Sequence, residues 1–510
     1  MHQAIYKRAS LVAGIATALL FLTKSQIAMG GEYSDRDVTQ AVERALYFDR
    51  LGGSENDVDV STQDGVVTLG GTVDNLLAES RVVAITESVR NVLGVVDLIT
   101  VKPEHRPDDA IRANIESALK QDPATESYRV SVSVRDGVVT LTGQTGSYAE
   151  KNLAGRLAEG VRGVKQIRND IAINYLAPRT DREIALDVNS RLQWDVWLDG
   201  ADVRAAVTNG VVTLTGDVRS VISKARAAED AWVNGVVAVN DQKLRVNPHA
   251  RMALPHPITW HATPDGEIKK AVLNAFRLDP RLAAFSPSVS VEDGVVILAG
   301  VVGNVKASEA AGEDAQSIVG VWRVQNFLKV RPAEQLSDSQ LEEELKAALF
   351  WDPVLAGAKI ETTVINRVAY LSGAVESPLE KSEAQDVASR IKGLVLVRNH
   401  LNVMPYDSIY YHDWPYYPYD EWTYYNQPPY AIAEPFGPDR SDKDIKREIE
   451  RSFFWSPFVD RSDIGVKVES GVAILTGTVH TWIGWNEASR DAREHAAFVI
   501  NHIKVERPRW

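Results

Sequence analysis

One pattern of residues recurs six times along this chain, and the repetition restricts the fold more than any other feature of the sequence. Its first element is an apolar triplet at i, i+4 and i+8: Val38/Val42/Leu46, Ile111/Ile115/Leu119, Ile184/Val188/Leu192, Ile268/Val272/Phe276, Leu341/Leu345/Leu349 and Ile445/Ile449/Phe453. Four-residue spacing sets these side chains on one face of a helix, with the charged residues between them turned to water. Helix starts are written in Thr180 with Glu183 and in Ser337 with Gln340, capping boxes that satisfy free backbone N–H groups. Helix stops stand at Asp122-Pro123, Asp279-Pro280 and Asp352-Pro353, because the residue before proline avoids helical geometry.

A second element follows 17 residues after the last member of the triplet in five copies and 18 in the first. It reads DGVVTLGGTV from Asp64, DGVVTLTGQT from Asp136, NGVVTLTGDV from Asn209, DGVVILAGVV from Asp293, NRVAYLSGAV from Asn366 and SGVAILTGTV from Ser470. Asp-Gly and Asn-Gly mark tight hairpins, since a two-residue turn needs positive φ; that assigns a turn role to Gly65, Gly137, Gly210, Gly294 and Gly471. Alternation such as Val130/Val132/Val134 before the turn and Val139/Leu141 after it gives the two strands. A later glycine in each copy (Gly71, Gly143, Gly216, Gly300, Gly373, Gly477) is assigned to the end of the second strand. Eleven residues further on stands Ala154, Ala227, Ala311, Ala384 or Ala488, with Val82 in the first copy; a small residue there lets a second helix approach the sheet. Gly163, Gly235, Gly320 and Gly393 are read as closing that helix, with Asn91 and His495 in the matching places of copies one and six. Another apolar strand then follows, as in Ile171 and Ile173. The expected fold class is α+β: a tandem array of six small α-β-β-α-β units, each a three-stranded sheet packed with two helices.

The DGVVTLxG hairpin together with the downstream alanine and glycine resembles the BON domain family, found in OsmY-like periplasmic proteins and secretion-system components. The resemblance covers residues 36–103, 108–177, 181–248, 264–332, 338–404 and 441–508. Arg367 departs from the motif, so the fifth hairpin is expected to use a different turn, and His495 departs at the end of the sixth unit's second helix. The resemblance implies envelope maintenance or stress and osmotic protection, with protein clients, envelope components or phospholipid surfaces as partners. It transfers no activity residue by residue.

Residues 1–30 have the form of an export signal: Lys7 and Arg8 precede an apolar run from Leu11 to Leu22, too short to span a bilayer. Cleavage is expected after Gly30, with Ala28 as the runner-up, and without cysteine in the chain a lipoprotein anchor is excluded. The expected location is therefore the periplasm. Absence of cysteine also removes disulfides, thiolate metal sites and cysteine nucleophiles. A net charge of -13 argues against a chain-wide grip on nucleic acid or anionic lipid.

Two inserts stand outside the repeat. Residues 249–263 hold His249, His256 and His261 among prolines, a hinge linker rather than a metal site because no tight i,i+4 pair is present. Residues 405–440 concentrate tyrosine and proline, and Tyr410, Tyr411, Trp414, Tyr416, Tyr417, Tyr419, Trp422, Tyr424 and Tyr425 form a candidate recognition strip. The same composition suits structural mortar laid over neighbouring units. Phe48, Trp194, Leu278, Trp351 and Trp455 share one position at the end of the first helix, read as core packing. His400, His480, His495 and His502 are scattered among structural positions, and no acidic pair recurs at a spacing suited to acid–base work. The expectation is a non-enzymatic exported binding protein with no cofactor, no metal and no catalytic residue, acting by multivalent contact; a peripheral phospholipid-binding protein is the alternative. Whether the units sit as beads or as pseudo-symmetric pairs stays open, with breaks expected at 248–266 and 404–440.

Overall fold

Apolar residues four apart make each unit's first helix, and a computed structural model shows how it is held down. The structure describes residues 33–505 apart from 50–56, 126–127, 176, 200, 249–263, 404–440, 460–462, 470, 480, 494 and 497. The expected export signal, the histidine-bearing linker and the candidate tyrosine strip lie outside the described residues. The first helices are α1 (Asp35–Asp49), α3 (Asp108–Gln121), α5 (Asp181–Trp194), α7 (Asp265–Leu278), α9 (Asp338–Trp351) and α11 (Asp442–Trp455). Their triplets are buried in every copy, and both capping boxes form, at Thr180/Glu183 and Ser337/Gln340.

Each first helix also begins with an aspartate, three residues before its triplet, whose carboxylate accepts the backbone N–H groups of the hairpin turn about 28 residues away. Asp108 takes Asp136 at 2.8 Å and Gly137 at 3.0 Å; Asp181 takes Asn209 at 2.7 Å and Gly210 at 2.8 Å. Asp35, Asp265 and Asp338 do the same in their own units, and Asp442 accepts the Gly471 N–H at 2.8 Å. The N-terminus of a helix favours an anion, so one carboxylate serves the helix end and the turn together.

The sheets share one plan. In the second unit β5 (Arg129–Arg135) runs antiparallel to β6 (Val138–Thr145), helix α4 (Tyr148–Glu159) crosses over, and the third strand returns parallel to β6, which is therefore central. Helices cover one face, where Val139 and Leu141 are fully buried. In the first, second, fifth and sixth units the third strand is broken into two short pieces, both paired to the central strand. An Asn or Asp side chain at the break bonds the backbone two residues on, as in Ile503 N–H to Asn501 Oδ1 at 2.8 Å. In the third and fourth units it is continuous, Ala238–Val246 and Arg323–Val330.

Three readings of the sequence are corrected. The later glycines do not end their strands: Gly143 is the sixth of eight residues in β6, at φ +134, and the strand runs on to Thr145. A Cβ at Gly143 would stand 2.1 Å from the carbonyl oxygen of Arg129, so the close approach of the two strands excludes any side chain. Gly163, Gly235, Gly320 and Gly393 do not cap the second helices either. They lie three to five residues beyond the helix ends at Glu159, Asp230, Gln316 and Arg390. There they fill the third position of a tight turn, as in Val164 N–H to Val161 C=O at 3.3 Å, which demands positive φ. Asn91 takes that place in the first unit at φ +69.

Arg367 is the third correction, because the fifth hairpin keeps the same turn. Asn366 and Arg367 have φ +51 and +63, against +52 and +74 at Asp64 and Gly65. An arginine is thus held in the left-handed region that costs an L-residue roughly 1–2 kcal/mol. Arg367→Gly is expected to stabilise the chain by about 1 kcal/mol, read as a rise in the denaturation midpoint; no change would show that the turn carries no strain.

Candidate functional site: the seams between units

Each unit has a core of only a dozen or so buried residues, and a domain of roughly 60–70 residues is marginal by itself. The six units answer this by docking in nested pairs, first with sixth, second with fifth, third with fourth. In the first seam the Arg90 N–H donates to the Trp455 carbonyl at 2.8 Å and its guanidinium donates to the Ser456 carbonyl at 2.8 Å, while lying 5.6 Å from the Phe454 ring centroid. In the second the Arg162 N–H donates to the Trp351 carbonyl at 3.1 Å, its Nε donates to the Asp352 carbonyl at 2.9 Å, and it lies 5.1 Å from the Phe350 ring centroid. In the third the Val319 N–H donates to the Trp194 carbonyl and the Val196 N–H to the Ser317 carbonyl, both at 2.9 Å. Each pair thus joins a tryptophan at the end of one unit's first helix to the turn that follows the partner's second helix.

The aromatic series at the helix ends is therefore not simple packing inside its own unit. Trp194 packs against the core of the fourth unit, and Trp455 against that of the first. The 249–263 insert also does not separate its neighbours, since the third and fourth units dock directly. Lateral contacts bind the pairs to one another. Tyr148 stacks on Trp232 at 4.2 Å and 7°, Trp197 meets the Phe458 ring edge-on at 4.7 Å, and Gln385 donates to Glu309 at 2.7 Å.

The seams are rich in buried acid. A cavity of about 190 Å³ lies where the second, third and fourth units meet. Its wall pairs Arg226 with Asp195 at 2.6 Å, Arg191 with Asp230 at 2.9 Å, and Arg281 with Asp279 at 2.6 Å. Burial, and next the charge of Asp279, pushes the Asp314 carboxyl up to about 8; burial pushes Asp491 of the first seam up to about 7. Asp230 and Asp352 are raised well above the carboxylate range, again by burial first. A raised folded-state value means that the folded chain holds protons the unfolded chain has released. This contribution is full below the unfolded value and is lost as pH rises through the folded one. The opposite shift at Asp108, caused by its two turn N–H bonds, is lost only as pH falls through the ordinary carboxylate range. Melting temperature is expected to rise by a few degrees between about pH 8.5 and about pH 6, and a flat profile there would contradict buried acids at the seams.

Among the described residues no helix is long and apolar enough to cross a membrane, and no group of three His, Asp or Glu is placed to hold a metal. His495 is fully buried with its Nε2 2.7 Å from Ser452 Oγ. The sequence reading missed the Arg–Trp seams, although their signal was present: Phe-Trp ends the first helix of the fifth and sixth units, and arginine precedes the turn residue in the first and second.

Comparison with known proteins places these units. The BON domain profile matches residues 34–103, 107–175, 180–248, 264–332, 337–405 and 441–507. The chain is 30% identical over 148 residues to osmotically-inducible protein Y of Escherichia coli, a match covering 28% of this chain and 74% of that protein. It is 30% identical over 139 residues to the outer membrane lipoprotein DolP of Haemophilus influenzae, covering 26% of this chain and 71% of that protein. Among solved structures, CdsD, a structural protein of the type III secretion system of Chlamydia trachomatis, aligns at 16% identity and a TM-score of 0.12 over 40% of this chain and 90% of that one; a likeness at that level carries no argument.

Proposed function

The chain belongs to the BON domain family, and from that premise we propose that it is a non-enzymatic binding protein of the bacterial envelope, exported to the periplasm and protective under osmotic or envelope stress. The names of the two relatives, one osmotically inducible and one an outer membrane lipoprotein, support the setting. The observation that carries the reading is the arrangement of apolar surface. Docking uses the helix ends in nested pairs, and four units keep a large apolar residue in water within or beside a strand: Leu98 at 54% exposure, Val237 at 63%, Phe327 at 61% and Ile365 at 53%. Exposed apolar side chains on four units of one body suit multivalent contact with protein clients or envelope components.

Tyr410, Tyr411, Trp414, Tyr416, Tyr417, Tyr419, Trp422, Tyr424 and Tyr425 add a recognition strip in this reading. The test is capture from envelope extract by the chain after removal of residues 1–30. Phe327→Asp and deletion of 406–430 are each expected to lower captured protein several-fold while leaving the melting temperature in place. Loss of stability in the deletion would instead make that segment mortar. The family resemblance keeps phospholipid as the alternative partner, and flotation with anionic vesicles that is abolished by moderate salt would favour it.

A further inference from the structure

The fourth unit departs from its five copies on the side of the sheet that faces away from the helices. Along the central strand every second residue points to that side. In the second unit three successive places there hold Thr140, Thr142 and Gln144, and in the third Thr213, Thr215 and Asp217. The first, fifth and sixth units likewise carry two hydroxyl residues among the matching three. The fourth carries none: β13 (Val295–Val302) presents Ile297, Ala299 and Val301. Its other side is the ordinary one, with Val296, Leu298 and Val302 buried in a core shared with α7 and α8 (Val305–Gln316). This sheet is therefore apolar on both faces, and only one face is covered by the described helices.

The strand beside it enlarges the apolar surface and charges its border. In β14 (Arg323–Val330) Phe327 stands in register with Ala299, Lys329 with Val301 and Arg323 with Val295. Phe327 and Val301 are exposed, so the apolar side chains meet across the two strands in water. Arg323 and Lys329, with Arg331 just beyond the strand, are also exposed, and none of the three has an ion pair or side-chain hydrogen bond among the described residues. In a chain of net charge -13 they make a local cationic row. On the opposite border β12 (Ser288–Glu292) contributes Ser288, Ser290 and Glu292 and no cation.

We propose that this face docks an amphipathic helix of a partner protein, laid along β13 with acidic residues on the one flank that meets Arg323, Lys329 and Arg331. A sheet with two apolar faces is completed by helices on both, and α7 and α8 already supply one layer. The apolar surface lies on the face of the sheet and not along its edge, which suits a helix and not an added strand. From Val295 to Val301 the stripe runs ~20 Å, the length of ~13 helical residues. Unpaired cations on one border and a carboxylate on the other fix which way round the acidic flank lies. The net charge of the chain counts against an anionic membrane as the occupant. The proposal rests on the reading of the chain as a binding protein and names the chemistry of one partner.

The test is fluorescence anisotropy of a labelled 16-residue synthetic peptide titrated with the full chain. The peptide carries leucine at i, i+3, i+4 and i+7 along its length and glutamate down one flank; a second peptide carries lysine in place of the glutamates. The glutamate peptide is expected to bind saturably and the lysine peptide at least ~10-fold more weakly, with the gap closing as salt is raised. Phe327→Asp is expected to weaken the glutamate peptide by ~10-fold or more. The double substitution Ile297→Thr and Ala299→Thr installs the residues that the second and third units carry on the same framework, so it preserves the fold and should weaken binding to a similar extent. Equal binding of the two peptides overturns the proposal, as does unchanged affinity in the double variant. Flotation of the chain with phosphatidylglycerol vesicles that Phe327→Asp abolishes overturns it in favour of a membrane, and self-association abolished by the same substitution overturns it in favour of a second copy. Capture of envelope protein that depends on Phe327, with no binding of the glutamate peptide, overturns this proposal alone and leaves the binding reading standing.

Discussion

Two polypeptides, 31–248 and 264–510, are expected to assemble into a stable one-to-one complex when expressed apart and mixed. The cut falls in the 249–263 linker, outside the described residues, and severs none of the seams. Every one of the three seams crosses between the halves: Arg90 to Trp455, Arg162 to Trp351, and Val319 to Trp194. Lateral contacts such as Trp197 with Phe458 cross as well. Three seams, two of them with a tryptophan packed against the partner's core, make a divided interface of large extent, so the complex should hold at about nanomolar concentration or below. Co-elution in size-exclusion chromatography, and a dissociation constant from titration of labelled halves, check this. Halves that elute separately, each folded, would mean that the linker alone holds the pairs together by effective concentration.

The second large effect is expected at Trp194. Its indole packs against the core of the fourth unit while its carbonyl accepts the Val319 N–H. Trp194→Ala leaves the backbone bond possible but removes the side chain from the neighbour's core, at a cost of about 3 kcal/mol, the lower end for tryptophan because the ring is only partly buried. In the split-chain assay that is a loss of ~100-fold or more in affinity between the halves. A control at Leu186, exposed and outside the seam, should change affinity by less than ~2-fold. Equal effects at the two positions would remove Trp194 from the interface.

Much of the unit was legible because its signals are local. A triplet spaced by four, a capping box such as Ser337 with Gln340, and a dipeptide such as Asp136-Gly137 are each complete within a few residues. The hairpin clamps were less visible, since Asp108 and the turn it holds stand 28 residues apart, and only the sixfold recurrence of that aspartate could have drawn attention to it. The seams were not read at all, because each recognition element is divided between units far apart in the chain. Phe350-Trp351 alone reads as a helix end, and Arg162-Gly163 alone reads as a turn. Their complementarity appears only when one is set beside the other. The 249–263 insert misled for a related reason: the length of a linker sets how far apart two units can be, and the faces they share set how far apart they are.

The nested order of pairing also fixes a sequence of events during synthesis. A chain made from its N-terminus completes the third and fourth units next to each other, so that pair can close first, and the second unit closes on the fifth next. Of the six units the first emerges earliest and is seated last, because Trp455 and Ser456, the groups that receive Arg90, belong to the sixth. Until then its helix-end surface faces water. A product cut short anywhere before the sixth unit keeps that surface open permanently, which gives quality-control proteases a chemical mark for an unfinished chain.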